Sequence, residues 1–347
     1  MAKPSSSRSD LRNLNFYYLI IALVLLNIIL ILISISIGRF RIPFSRVLSS
    51  LISKIIPSFG TPNTTFDTVI FTIRLPRIIA ALLIGASLSA SGASYQGIFN
   101  NPLVDPYILG LSAGAGFGAS IAILLGGNYL LIGAFAFGFS LLAVFLTTVI
   151  AHPQKNVSTV TMVLSGFIVS SLFTSLISFI KYYADPYTKL PSIVYWLMGS
   201  LAQVSMKEVL LILPFVLISL VALYLLRWKL NILSLGLEEA KLLGENPNIL
   251  RNIIIGIATL LTSLSVSVSG IIGWVGLVIP HLGRMIVGPD YRKLIPTSIL
   301  LGSFYLLLMD DLSRVISASE VPIGIFTALI GAPFFIYLMK FSKYKWS

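Results

Sequence analysis

The sequence predicts an all-α polytopic membrane protein with ten transmembrane helices and an inverted internal repeat. Three observations carry that prediction. The 347 residues are 56% hydrophobic and only 10% charged, with a mean hydropathy of +0.96, a composition that favours lipid over water. Apolar stretches of about 20 residues, the length that crosses a bilayer, recur along the chain between polar, proline or glycine punctuation. A short serine and glycine pattern occurs twice, on stretches expected to run in opposite directions through the membrane.

The first span is expected over 15–37, after a tail of 1–14. Its apolar run is too long for the core of a cleavable signal and lacks a small-x-small exit site, so it should remain in place. A loop over 38–73 leads to the second span, 74–95, which opens on Arg74-Leu-Pro-Arg77. The third and fourth spans cover 107–125 and 129–151. The third contains Gly110-Leu-Ser-Ala-Gly114-Ala-Gly116-Phe-Gly118, a run of small residues that lets helix backbones approach closely in lipid. The fifth and sixth cover 158–181 and 208–227. A loop over 228–250 follows, then spans at 251–270, 272–288, 294–310 and 321–340, and a tail of 341–347. The region 15–340 reads as one permeation domain.

The repeat rests on Ser89-Ala-Ser91-Gly92 followed ten residues later by Pro102, and Ser267-Val-Ser269-Gly270 followed at the same spacing by Pro280. With ten spans, the first copy runs inward and the second outward.

Charge sets the orientation. Of 24 basic residues, about 14 fall on one side if both tails are cytoplasmic, the side that lysine and arginine favour. The opposite side keeps Arg39, Arg41, Arg46 and Lys54, which read as interfacial anchors, together with Arg74, Arg77 and Arg314. Arg74 and Arg77 lie three apart at an expected helix start, held by Pro76, and should point the same way. Cations there oppose the helix macrodipole, so an external anion is expected to compensate. Arg314, in Asp310-Asp-Leu-Ser-Arg314, has local carboxylates as possible partners.

Several function classes are excluded. The net charge of +12 suits loops facing anionic lipid and partner proteins, and nucleic-acid binding is not expected. The chain has no cysteine, so disulfides, thiolate metal sites and cysteine nucleophiles are absent. Gly110-x-Ser112-x-Gly114 fails as a nucleophile elbow, because no strand precedes it and the two histidines, His152 and His281, lie at expected span ends. Ionisable groups are nearly absent from mid-span positions, unlike ion-coupled carriers. No phosphate-binding Gly-x-x-x-x-Gly-Lys-Ser/Thr loop occurs. The chain is therefore expected to be no enzyme, to bind no metal or cofactor of its own, and to draw energy from a partner; the alternatives are a secondary carrier and a passive pore.

The 228–250 loop contains Leu235-Gly-Leu-Glu-Glu-Ala-Lys-Leu-Leu-Gly244, a short amphipathic helical pattern closed by Asn246-Pro247. Leu235, Leu242 and Leu243 fit either a groove on another protein or this chain's own surface, while Glu238, Glu239 and Lys241 stay wet.

Together the motifs resemble the FecCD-type permeases, which include cobalamin, siderophore and haem importer permeases. They are Arg74-Leu-Pro-Arg77, Gln96 with Asn101-Pro-Leu-x-x-Pro106 and Leu109-Gly110, the Leu235–Gly244 segment, Gly276-Leu-Val-Ile-Pro-His281-x-x-Arg284, and Pro322-Ile-Gly324 with Gly331-Ala-Pro333, in the family's order from about 15 to 340. The resemblance implies a multi-pass plasma-membrane subunit of an ATP-binding-cassette importer, paired with an identical or paralogous copy. Two cytoplasmic ATPase subunits would use the ATP and an external substrate-binding protein would deliver the cargo. It further implies docking of that protein on Arg74, Arg77 and Arg314, so that Arg77→Glu should weaken capture. ATPase coupling would fall on Leu235, Gly236, Glu238, Glu239, Ala240, Leu243 and Gly244, and a cytoplasmic gate on Asn101, Leu103, Ser158 and Thr159. Val160 stands where the family often has a small polar residue, and the stretch from Arg314 to Glu320 is one residue short of the usual pattern. The implied cargo is an iron(III)-siderophore or related chelate, with cobalamin or haem as the alternative.

Overall fold

The computed structural model describes residues 6–38, 40–55, 64–151, 159–316 and 320–341. Among these, all regular structure is helical: α1 (Ser6–Ser36), α2 (Phe44–Ile55), α3 (Thr64–Asp67), a π-helical stretch (Thr68–Arg74), α4 (Leu75–Ile98), α5 (Leu111–Leu124), α6 (Tyr129–Ala151), α7 (Thr159–Tyr183), α8 (Lys189–Leu197), α9 (Met206–Leu233), α10 (Leu237–Leu242), α11 (Pro247–Ser269), α12 (Val275–Val287), α13 (Tyr291–Ile316) and α14 (Ile323–Phe341). Among the described residues, six helices are long and apolar enough to cross a membrane: α1, the rod ending in α4, α6, α7, α9 and α11. The segments Leu111–Leu124, Val275–Val287 and Ile323–Tyr337 are apolar but shorter.

The first departure from expectation is the second span. It begins at Thr64, not at Arg74, as one rod through α3, the π-helical stretch and α4. Pro76 explains the local form. A proline inside a helix has no N–H for the carbonyl four residues back and its ring presses on that carbonyl. The wider π turn just upstream accommodates this, with the Leu75 N–H reaching the Ile70 carbonyl five residues back. Arg74 is therefore three turns into a rod, and the macrodipole cost inferred for a helix start does not apply.

Two helices were not expected, α2 within the 38–73 loop and α8 between α7 and α9. The 228–250 loop is shorter than expected because α9 continues to Leu233 and α11 starts at Pro247. Likewise α13 extends beyond 294–310 at both ends. The serine–glycine echo falls on unlike backbone: Gly92 lies inside α4, whereas Gly270, at φ +67°, ends α11.

α4 is the hub, packed on α13, α11, α12 and α9. Glycines make these crossings close. A Cβ at Gly92 would lie 1.9 Å from the Gly276 carbonyl oxygen, and one at Gly85 would lie 2.1 Å from that of Gly302, so the backbones touch where no side chain fits. The serines of α4 are satisfied without water. Ser87 and Ser94 donate back to carbonyls four residues earlier (2.7 and 2.8 Å), while Ser89 also reaches Ser298 O on α13 (2.7 Å) and Ser91 reaches Ala258 O on α11 (3.1 Å). In an apolar interior such bonds replace hydration that is unavailable. By contrast α1, α6, α7 and α9 keep most of their apolar surface outward, the face a bilayer would cover. Asn27 ties α1 back to α13 through the Leu300 carbonyl (3.2 Å).

Candidate functional site

The chemistry concentrates at the two ends of the bundle. α13 measures the gap between them. Its first residues touch the end of α9, through Tyr291 N–H to Asn231 Oδ1 (2.9 Å), next to α10. Nineteen residues later Asp310 meets Arg77, and at 1.5 Å of rise per residue the two places are about 30 Å apart.

At the far end, Arg74, Arg77 and Arg314 are all buried, at 4, 4 and 6% exposure. Arg77 Nε donates to Asp310 Oδ1 (2.7 Å) and its Nη1 to Glu320 Oε2 (2.7 Å). Arg314 Nε lies 3.2 Å from Asp310 Oδ2, and its Nη2 reaches Asp311 and the Ser34 hydroxyl, the latter at 2.6 Å. Ser34 in turn donates to Asp311 Oδ1 (2.6 Å). Arg74 turns away from Arg77 and donates to the carbonyls of Ile35 and Phe40, capping the C-terminus of α1, where cations are favoured.

Two of the three cations, Arg77 and Arg314, thus face three carboxylates, and the anions that compensate them belong to the chain itself. The expected shared direction of Arg74 and Arg77 is not found, because different elements claim them. The local partners anticipated for Arg314 are present. Buried pairs of this kind are held by mutual attraction plus hydrogen bonds that replace water. Sequence reasoning missed Glu320 and Ser34, which carry no local signal of partnership with residues more than 240 positions away. Glu320 is the outermost member, its side chain 25% exposed.

A hollow of about 710 Å³ opens on the same end, between the α5–α6 turn, α8 and the end of α11, lined by Tyr129, Lys189, Tyr195, Trp196, Gln203 and Gly270 among others. Lys189 donates to the Ile123 carbonyl (3.0 Å), which leaves the lining chemically mild.

At the other end, α10 presents Leu242 (88% exposed), with Leu235 and Leu243 also exposed, while Ala240 is fully buried as its anchor. Glu238 and Lys241 pair on the wet face (2.8 Å) and Glu239 is exposed. Gly236 (φ +124°) and Gly244 (φ +81°) flank the helix in conformations that side chains disfavour. Lys229 pairs with Glu245 across the loop. Asp290 sits beside this loop; burial alone would raise its pKa, but hydrogen bonds from Arg292 and Asn231 hold it at about 2.

The turn after α4 carries Asn101 and Leu103. Asn101 Oδ1 accepts from the Leu103 N–H (2.9 Å), the local turn that asparagine before proline favours, and Leu103 is 52% exposed. Asp105 closes the turn by accepting from the Tyr107 N–H (2.7 Å), and burial pushes its pKa up to about 6. Thr159 starts α7, and Ser158 lies outside the described residues. Gln96 links this turn inward: its Nε2 donates to Val104 O (3.1 Å) and its Oε1 accepts from Arg284 (2.6 Å). Among the described residues no cluster of metal-ligating side chains occurs.

Residues 25–341 match the FecCD transport family. The chain belongs to that family. It is 42% identical over 330 residues to the molybdate import permease MolB of Haemophilus influenzae, covering 93% of this chain and 96% of that one. It is 41% identical over 276 residues to an iron chelatin transport permease of Helicobacter pylori, covering 80% and 83%. A solved structure of a metal-chelate type ABC transporter in an inward-facing conformation superposes with a TM-score of 0.83 at 39% identity, covering 93% of this chain and 99% of that one. This FecCD protein is accordingly a multi-pass membrane permease of the ABC importer type.

Proposed function

We propose that this FecCD protein is the membrane-spanning subunit of an importer for an iron(III) chelate, delivered by an external binding protein and driven by two cytoplasmic ATPase subunits. One observation carries the reading: an exposed leucine-bearing helix and a clustered arginine site lie at opposite ends of one bundle, about 30 Å apart. In this reading α1, the α3–α4 rod, α5, α6, α7, α9, α11, α12, α13 and α14 are ten spans, with both termini and α10 cytoplasmic. α4–α7 and α11–α14 then form two four-helix sets of opposite direction, the inverted repeat. The permeation path lies between this chain and a second permease, identical or paralogous.

Leu235, Gly236, Glu238, Glu239, Ala240, Leu243 and Gly244 engage the ATPase, with Leu242 at the tip. Asn101, Leu103, Ser158 and Thr159 form the cytoplasmic gate. Docking at Arg74, Arg77 and Arg314 is supported by the family resemblance, and their burial adds a condition. An acidic group on the incoming protein has to take the place of Glu320, the outermost carboxylate, for Arg77 to become available. ATP and binding protein would drive transport by favouring different arrangements of the bundle.

Reconstitution with a cognate ATP-binding-cassette ATPase tests the reading. ATP-dependent uptake that is lost, with ATPase co-purification, in the double variant Leu242→Asp, Leu243→Asp supports it. Uptake driven by an ion gradient from the isolated chain would replace it with a secondary carrier. The cargo is tested by competing iron chelates, cobalamin and haem in uptake assays. The 42% identity to a molybdate permease makes molybdate the second reading, and molybdate uptake in preference to iron chelates would establish it.

A further inference from the structure

The end of α4 has a feature that neither family membership nor the importer reading assigns. Phe99 N–H bonds to Tyr95 O (2.9 Å) and Asn101 N–H reaches back to Gln96 O (3.2 Å), so the helix closes in the motif whose turning residue takes left-handed backbone. That residue is Asn100, at φ +47°. Glycine is the usual occupant of this position because a Cβ is disfavoured there. Asparagine brings a side chain whose amide end lies against two carbonyls, Gly97 O (3.2 Å) and Ser234 O (3.0 Å); the amide is assigned with its nitrogen toward them, because the reverse orientation would set its oxygen against two acceptors. Ser234 ends α9, directly before Leu235 and Gly236.

A second path joins the same two segments. Gln96 holds the Val104 carbonyl of the turn and accepts from Arg284 of α12. Arg284 Nη2 lies 3.4 Å from the Tyr291 hydroxyl, and the Tyr291 backbone bonds to Asn231 in the last turn of α9. Asn231 also donates to Asp290 Oδ1 (2.7 Å). Gly97 is backed against the Tyr291 ring, whose hydroxyl oxygen would lie 2.9 Å from a Cβ there.

We propose that Asn100, seconded by the Gln96–Arg284 pair, is a positioning residue that fixes the Asn101–Leu103 turn to the end of α9, so that displacement of the α10 segment moves that turn as one body. The inference deepens the importer reading and rests on it for the direction of movement; the physical joint is a property of the chain alone. Asparagine is suited to the task because a single short side chain both tolerates the left-handed turn and donates across to the neighbouring helix. Without the amide, the turn keeps its backbone bonds within α4 and loses its direct tie to α9.

Asn100→Gly is the discriminating variant, since glycine suits the backbone and removes only the cross-link. The chain lacks cysteine, so Leu103→Cys and Leu243→Cys, both exposed positions, take a pair of spin labels without background. In the isolated permease in nanodiscs, the label pair should give one narrow distance with Asn100. Asn100→Gly should lose that single peak in favour of a broad distribution at an unchanged unfolding midpoint, and Gln96→Leu should do so to a lesser degree. An unchanged narrow distance in Asn100→Gly overturns the proposal and leaves Asn100 as a helix cap only. With the ATPase assembled, ATP should shift the environment of a label at 103 alone, and Asn100→Gly should abolish the shift; a shift that persists also overturns it. Failure of the ATPase to assemble with the unsubstituted chain would defeat the importer reading, while the nanodisc distances still decide the joint.

Discussion

Asp310 accepts a hydrogen bond from Arg77 (2.7 Å) and pairs ionically with Arg314 (3.2 Å), two arginines that lie at opposite ends of the sequence, with no exposure of its own. Removing one partner from such a group leaves buried charge uncompensated, at a cost of about 3–5 kcal/mol. Asp310→Asn should therefore lower the unfolding midpoint in detergent strongly, and Arg77→Glu should do the same by setting a third carboxylate against Asp310 and Glu320. A loss of binding-protein capture by Arg77→Glu is uninformative unless folding is measured alongside it. Asp105 makes an opposite prediction. Its pKa, pushed up to about 6 by burial, exceeds the ordinary value of 3.8, so the folded chain holds the proton more tightly than the unfolded one. Its stabilising contribution is complete below about pH 3.8 and is lost as pH rises through 6. Asp105→Asn keeps the acceptor for Tyr107 N–H and should remove this dependence, matching the unsubstituted chain near pH 4 and exceeding it by ~2 kcal/mol at pH 7.

Helices set the next scale, and their contacts are decided by what is missing from them. α4 approaches α12 at Gly92 and α13 at Gly85 so closely that a methyl group would overlap a carbonyl oxygen. Lipid offers little hydrophobic drive for helices to associate, so this proximity and the serine hydrogen bonds that tie α4 to α13 and α11 supply the affinity. Gly92→Ala should separate α4 from α12 and reduce folded yield far more than Gly138→Ala, whose site on α6 faces open space. Size-exclusion profiles of the two variants compare them directly. Equal behaviour would mean that the α4–α12 crossing is not a determinant of the fold. The π-helical stretch belongs to this scale too, because Pro76 reshapes a rod that otherwise runs unbroken from Thr64 to Ile98.

For the whole molecule, the alternation of long helices sends the arginine cluster and α10 to opposite ends. Tyr187 follows α7 at the arginine end and Leu242 tips α10; each is 88% exposed. Single cysteines at these two positions should react with a membrane-impermeant maleimide from opposite faces of sealed vesicles. Labelling of both from one face would remove the basis for a delivery site on one side and a motor on the other. The same arrangement explains why the middle of the bundle is chemically quiet, with charge held at the two ends.

The sequence by itself determined the class of the molecule, the approximate position of most spans, the α10 segment between its two glycines, and the motifs that mark the FecCD family. These features are local: hydrophobic length, proline and glycine punctuation and short spacings are written within a few turns of chain. Only the tertiary structure decided what the arginines touch, because Arg77 and Asp310 are 233 residues apart and nothing in either neighbourhood encodes the other. It also decided that the second span starts at Thr64, well before Pro76, that Asn100 lies between α4 and α9, and that the repeated Ser-x-Ser-Gly falls on unlike backbone. In a chain whose helices all look alike to lipid, pairing is chosen by close glycine approach and by polar groups that must find partners inside, and those choices exist only once the helices are assembled.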